Sequence, residues 1–105
     1  MPSSPTEKIN RLLSLVREIK RRPTQKPESL YAKLGCSRSQ FFEDRQFLRS
    51  IGFEFQYDRN LTKYVISRDP HRPESPLKPA ETYALLIASS VNAKALRAAR
   101  KLLMK

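Results

Sequence analysis

The stretch Gly35-Cys-Ser-Arg-Ser-Gln-Phe-Phe-Glu-Asp-Arg-Gln-Phe-Leu-Arg-Ser-Ile-Gly52 decides how this chain folds. The sequence holds two glycines, and they bracket this stretch. Glycine suits the left-handed residue that follows a helix, so Gly35 closes one helix and Gly52 the next. Ser37 has the side chain of an N-cap, and Phe41, Leu48 and Ile51, spaced seven and three, give the helix from Arg38 to about Ile51 a buried side. Two helices joined by a tight turn containing glycine form a helix-turn-helix.

Toward the N-terminus, Leu30, Tyr31 and Leu34 supply the buried side of a short helix opened by Pro27, a residue suited to a first helical turn. Before it, Ile9, Leu12, Leu13, Val16 and Ile19 keep helical spacing. Thr6 is the expected cap of that helix, with Glu7 in its first turn, where the helix dipole favours an anion. It is expected to stop near Arg21 and Arg22, because Pro23 disfavours helix in the residue before it. Residues 1–5 read as a loose start.

Toward the C-terminus the period changes. Phe53, Phe55 and Tyr57 alternate with Glu54, Gln56 and Asp58, and Lys63-Tyr-Val-Ile-Ser67 returns after the turn formers of Asp58 to Thr62. A hairpin directly after a helix-turn-helix is a wing. Pro70, Pro73, Pro76 and Pro79 follow at steps of three, which suits an extended linker and, less well, a proline-rich ligand of an aromatic groove. From Pro79 the sequence returns to helix, with Tyr83, Leu86, Ile87 and Val91 in an apolar stripe. Asn92 is the expected cap of a last helix containing Leu96, Ala99 and Leu103. The expected architecture is mainly α with a small β-hairpin: a winged helix-turn-helix over residues 1–68, a Pro-rich linker over 69–79, and a helical extension over 80–105. The stripe needs a partner surface, and three are open: the winged helix itself, a second copy, or another domain. Pairing of two copies through Tyr83, Leu86, Ile87 and Leu96 would set two recognition helices on a two-fold symmetric site.

Of the 105 residues, 21 are Lys or Arg and 10 are Asp or Glu, a formal charge of +11. Up to Arg68 there are 14 basic and 7 acidic residues, and after it 7 and 3, so the positive field covers the whole molecule. Such a field favours a polyanion, nucleic acid or an anionic membrane surface. No apolar run approaches the roughly 20 residues of a membrane span, and the N-terminus lacks the order of a signal peptide. A lone cysteine, Cys36, forms no internal disulfide and fits a reducing cytoplasm. With one His and one Cys, neither a metal site nor a Cys/His nucleophile is expected, and no cofactor. No paired carboxylates or Gly-rich phosphate loop can be assembled, so an enzyme is the least supported class.

Recognition helices usually present their N-terminal residues to base edges. Ser37, Arg38, Ser39 and Gln40 place four hydrogen-bonding side chains on that first turn. Arg38 matches guanine and Gln40 adenine in two-pronged fashion, while Ser37 and Ser39 suit phosphate or base contacts. Phe42, one turn on, completes the set on the helix. Arg59, Asn60 and Lys63 at the wing tip are placed for a minor groove or a flanking phosphate, although a charged tip is equally a solvated one. Arg21, Arg22 and Lys26 are candidates for backbone contacts, although each reads more readily as a solvated charge. The expected partner is double-stranded DNA.

Cys36 to Leu48, followed by Gly52 and the hairpin to Tyr64, resembles the N-terminal winged helix of WYL-type bacterial transcriptional regulators. There the segment typically reads Val-Ser-Arg-Arg-Thr-Val-Tyr-Arg-Asp-Ile, then Leu and Gly. Ser37, Arg38, Asp44, Leu48 and Gly52 match it position for position, and Pro79 to Leu86 resembles the connector after the wing. The resemblance runs from about Ile9 to Lys105 and implies a DNA-binding regulator, expected as a dimeric repressor, without the effector-sensing WYL domain, which would begin about where this chain ends. Three positions depart from the pattern. Glu43 replaces the usual Arg, Arg45 takes a normally apolar place, and Thr62-Lys63 replaces glycines before Tyr64, which implies a stiffer or differently shaped wing tip. Arg45 must therefore extend outward along its stem, or Phe47 or Phe42 shares the packing. Cys36 falls at an apolar position, so a buried small residue is expected there rather than a redox thiol. Asp44 is expected to orient a neighbouring Arg or backbone group rather than to perform chemistry. The alternative function is a protein-interaction module that kept the fold without reading DNA, motivated by Glu43, the stiffer wing and the proline-rich segment. RNA binding lacks exposed aromatic platforms.

Overall fold

A computed structural model of the chain describes the backbone of residues 5–103 and the side chains of residues 6–91. Within these bounds it is mainly helical: α1 (Pro5–Arg21), α2 (Pro27–Leu34), α3 (Arg38–Ser50), strands β1 (Glu54–Asp58) and β2 (Lys63–Arg68), and α4 (Pro79–Leu103). The strands pair antiparallel with Tyr57 opposite Tyr64 and Phe55 opposite Ile66. A register shift follows at Glu54, which lies opposite Arg68.

The punctuation of the helices follows the local chemistry closely. Gly35 ends α2 at φ 65°, and its N–H and that of Cys36 donate to the carbonyls of Ala32 and Tyr31 at 3.2 Å each. That pair of bonds satisfies carbonyls the helix end would otherwise leave open. Ser37 then caps α3, its Oγ accepting from the Gln40 N–H at 3.1 Å. At the far end Gly52 takes φ 98° and the Phe53 N–H donates to the Leu48 carbonyl at 2.9 Å. Helix α1 begins at Pro5, so Thr6 lies inside it rather than capping it; proline is tolerated there because first-turn N–H groups have no intrahelical partner.

One apolar cluster joins every element. Leu12, Leu15, Val16 and Ile19 of α1, Leu30 of α2, and Phe41, Phe47 and Leu48 of α3 are buried with Phe53, Phe55 and Tyr64 of the hairpin. Leu15, absent from the expected stripe, is fully buried, while Ile9 and Leu13 are half-buried at its edge. Aromatic rings form a continuous path through this core: Tyr31 to Phe41 (4.5 Å between centroids), Phe41 to Phe55 (6.2 Å), Phe55 to Phe53 (5.8 Å) and Phe53 to Tyr83 (5.6 Å). Such contacts add about 0.5–1.5 kcal/mol each beyond area burial. The hairpin is also tied to the α1–α2 connection, because the Tyr64 N–H donates to the Pro23 carbonyl at 2.7 Å.

Two expectations for the C-terminal part change. A single helix runs from Pro79 to Leu103, and Asn92 lies inside it rather than starting another. With no glycine or proline between Ala80 and Leu103, nothing breaks the backbone. Tyr83 and Ile87 are buried (3% and 0% exposed) in the common core, with α4 packed on α1. The apolar stripe is therefore covered by the chain itself, and these two residues are not free to pair copies. Leu86 is half-buried, and the Leu96 side chain lies outside the described residues. The proline-rich segment is also tied to the helices at its start. The Asp69 carboxylate accepts from the Tyr83 hydroxyl at 2.7 and 2.9 Å and from the His71 N–H at 2.9 Å, and pairs with Lys20 at 3.1 Å.

Candidate nucleic-acid interface

Helix α3 presents two faces with opposite chemistry. Inward lie Phe41, Asp44, Phe47 and Leu48. Outward lie Arg38, Ser39, Phe42, Glu43 and Gln46, all exposed. Arg38, Phe42 and Arg45, spaced four and three, share one helical flank. The Arg38 guanidinium stands 5.6 Å from the Phe42 ring and that of Arg45 5.9 Å from the Phe55 ring. Arg45 is therefore half-buried with its guanidinium over an aromatic ring, and Phe47 of the same helix is buried.

That flank forms one wall of a cleft of about 810 Å³ between α2, α3 and the hairpin. The other walls carry Lys26, Glu28 and Tyr31 from the start of α2 and Gln56, Tyr57 and Arg59 from the hairpin. Four cations, Lys26, Arg38, Arg45 and Arg59, therefore face one opening against a single acid, Glu28. This excess makes the cleft suited to an anion by charge alone.

The hairpin tip is built on Asp58, whose Oδ1 accepts from the N–H groups of Asn60 (2.8 Å) and Leu61 (3.0 Å). Thr62 completes the turn at φ 51°, a left-handed conformation that costs a β-branched residue about 1–2 kcal/mol. The glycine-free tip therefore keeps the turn a glycine would make, and stores strain in it. Arg59, Asn60, Leu61 and Lys63 are exposed there.

Of the residues expected to contact DNA, the cleft gathers Arg38, Phe42 and Arg59. Ser37 and Ser39 are exposed beside it, and Asn60 and Lys63 stand at the tip, outside its walls. Gln40 departs from expectation. Its Nε2 donates to the Asp44 carboxylate at 2.9 Å, on the half-buried side of the helix. The amide is thus spent inside the protein rather than presented with Arg38. Asp44 itself, 2% exposed, accepts from Arg11 through Nε at 2.7 Å and Nη2 at 3.0 Å. The bond to Asp44 raises the Arg11 guanidinium pKa further, outweighing burial. The expected orienting role of Asp44 is met by an arginine 33 residues away. Burial, with the Asp44 charge, pushes the Cys36 thiol up, the opposite of a reactive thiolate.

Arg45 and the aromatic wall residues Tyr31 and Tyr57 were not among the expected contacts. The four-and-three spacing of Arg38, Phe42 and Arg45 was a usable signal for the first, whereas the juxtaposition of the two tyrosines depends on the hairpin folding beside α2. Among the described residues no helix is long and apolar enough to cross a membrane. Comparisons of the chain with protein-family models, with curated proteins and with solved structures found no match.

Proposed function

We propose that this chain is a sequence-specific regulator of transcription that binds double-stranded DNA through a winged helix-turn-helix, with α3 as recognition helix and the hairpin as wing. The observation that carries the reading is the cleft that sets Lys26, Arg38, Arg45 and Arg59 around one opening beside the exposed flank of α3. A helix of this length, about 20 Å, fits a major groove about 12 Å wide. Seated there by its first turn, α3 brings Arg38 to a guanine edge, and the cleft receives the adjacent phosphates. The charge of +11 supplies the long-range attraction. In this reading the chain acts in the cytoplasm by binding alone, without a cofactor. It concerns one copy on one half-site, since Tyr83 and Ile87 are spent within the chain.

The test is selection of bound sites from a randomised duplex pool, followed by affinity measurements. Arg38→Ala is expected to lower affinity for the selected site about 5- to 150-fold, the size of a lost two-pronged base contact, and to change random duplex far less. Arg45→Ala and Arg59→Ala are expected to weaken both duplexes alike and to flatten the salt dependence by about 0.9 per phosphate released. A pool with no enriched motif would instead favour the protein-interaction module.

A further inference from the structure

Resting on that reading, we infer that Glu43 is a specificity-determining residue that selects cytosine in the major groove. Ser39, Glu43, Gln46 and Ser50, at steps of four, three and four, form an exposed ridge along the outer face of α3. Glu43 is the anion of that ridge. Its neighbour in sequence, Asp44, points the other way and is neutralised by Arg11. Glu43 makes no ion pair among the described residues. Lys8 borders the same shallow surface, but its ammonium lies over the Phe47 ring, 4.9 Å from the centroid.

A carboxylate on a DNA-facing ridge is selective because it can only accept hydrogen bonds. Phosphates repel it, so it earns nothing from the backbone. On the base edges guanine offers it two acceptors, thymine an acceptor and a methyl, and adenine an amino group beside the N7 acceptor. Cytosine alone offers the N4 amino donor without a competing acceptor. Opposite any other base the carboxylate loses its water and gains no equivalent partner, a penalty that works by exclusion. Glu43 therefore lowers affinity for DNA in general and restores it where cytosine lies under the middle of α3.

Parallel selections with the wild-type chain, Glu43→Gln and Glu43→Ala test this. The wild type is expected to enrich a motif with cytosine at one position, preferred about 5- to 150-fold over other bases. Glu43→Gln is expected to admit adenine at that position, because an amide both donates and accepts, and both variants to bind random duplex more tightly. An enriched wild-type motif that both variants reproduce unchanged, or one without that cytosine, would overturn the role of Glu43 and leave the DNA reading standing. A wild-type pool with no motif would overturn the DNA reading and this inference together. Circular dichroism of the variants, expected to be unchanged at this exposed site, separates lost reading from lost folding.

Discussion

Helix α1 sends two cations into two polar networks, and the two hold different parts of the molecule. Arg11 reaches α3, where it clamps Asp44 with two bonds beneath the candidate interface. Lys20, nine residues on, reaches the hydroxyl of Tyr83 on α4 and the carboxylate of Asp69, with His71 and Thr82 joined at the edge by a 3.0 Å contact. The first network is closed: the side chains of Arg11 and Asp44 are 15% and 3% exposed. The second is open, with Lys20 and Asp69 at 33% and 28%. Solvent access decides how each behaves. A charge left alone in a closed network keeps its desolvation penalty, whereas in an open one water replaces the missing partner.

The largest expected effect is therefore that of Asp44→Ala. It removes the buried carboxylate on which Arg11 Nε and Nη2 converge and takes the acceptor from the Gln40 amide, and is expected to cost about 3 kcal/mol, the lower end for a broken buried pair. Urea denaturation would measure it. Replacing both partners, Arg11→Met with Asp44→Leu, should recover most of that loss, because a buried pair is often no more stable than apolar residues of similar size.

Tyr83→Phe should cost less, about 1 kcal/mol, the scale of a hydrogen bond whose partners remain solvated. The ring contact to Phe53 survives the change, and Lys20 still pairs with Asp69. Loss of equal size in Asp44→Ala and Tyr83→Phe would break the contrast between a closed and an open network.

The smallest effect is that of acid and salt. Burial pushes the Asp69 carboxyl up, but the His71 N–H, the Tyr83 hydroxyl and Lys20 together outweigh it and hold the group below its ordinary range. For Lys20 burial pulls downward, and the bonds to Tyr83 and Asp69 reverse it. A carboxyl lowered on folding stabilises fully above its unfolded value, about 3.9, and loses that stabilisation as pH falls through the lower folded value. The loss is expected to be about 0.2–1 kcal/mol, as for exposed pairs. Added salt should shrink it, and the acid arm of the stability profile should be shallower in Tyr83→Phe. An acid arm unchanged in that variant would show that Asp69 owes its depressed value to Lys20 and the backbone instead.

Local chemistry alone determined the helix boundaries around Gly35, Ser37 and Gly52, the β-hairpin, and most of the inner face of α1. Each of these depends on a residue's own conformational range or on a period of a few residues, and both are written in the chain. Several outcomes were decided only when distant segments met. The Gln40 amide, expected to face outward, donates instead to the Asp44 carboxylate that Arg11 also holds. Tyr83 and Ile87 turned from a pairing surface into core because α1 and the hairpin offered them a closer apolar partner. The Asp69–His71 segment was anchored by groups 49 residues before Asp69 and 14 after it. The cationic cleft likewise needs α2, α3 and the hairpin side by side. Its residues are dispersed from Lys26 to Arg59, and beyond the four-and-three spacing of Arg38, Phe42 and Arg45 within α3 no local period marks them, because charges gathered by folding leave no spacing in the sequence.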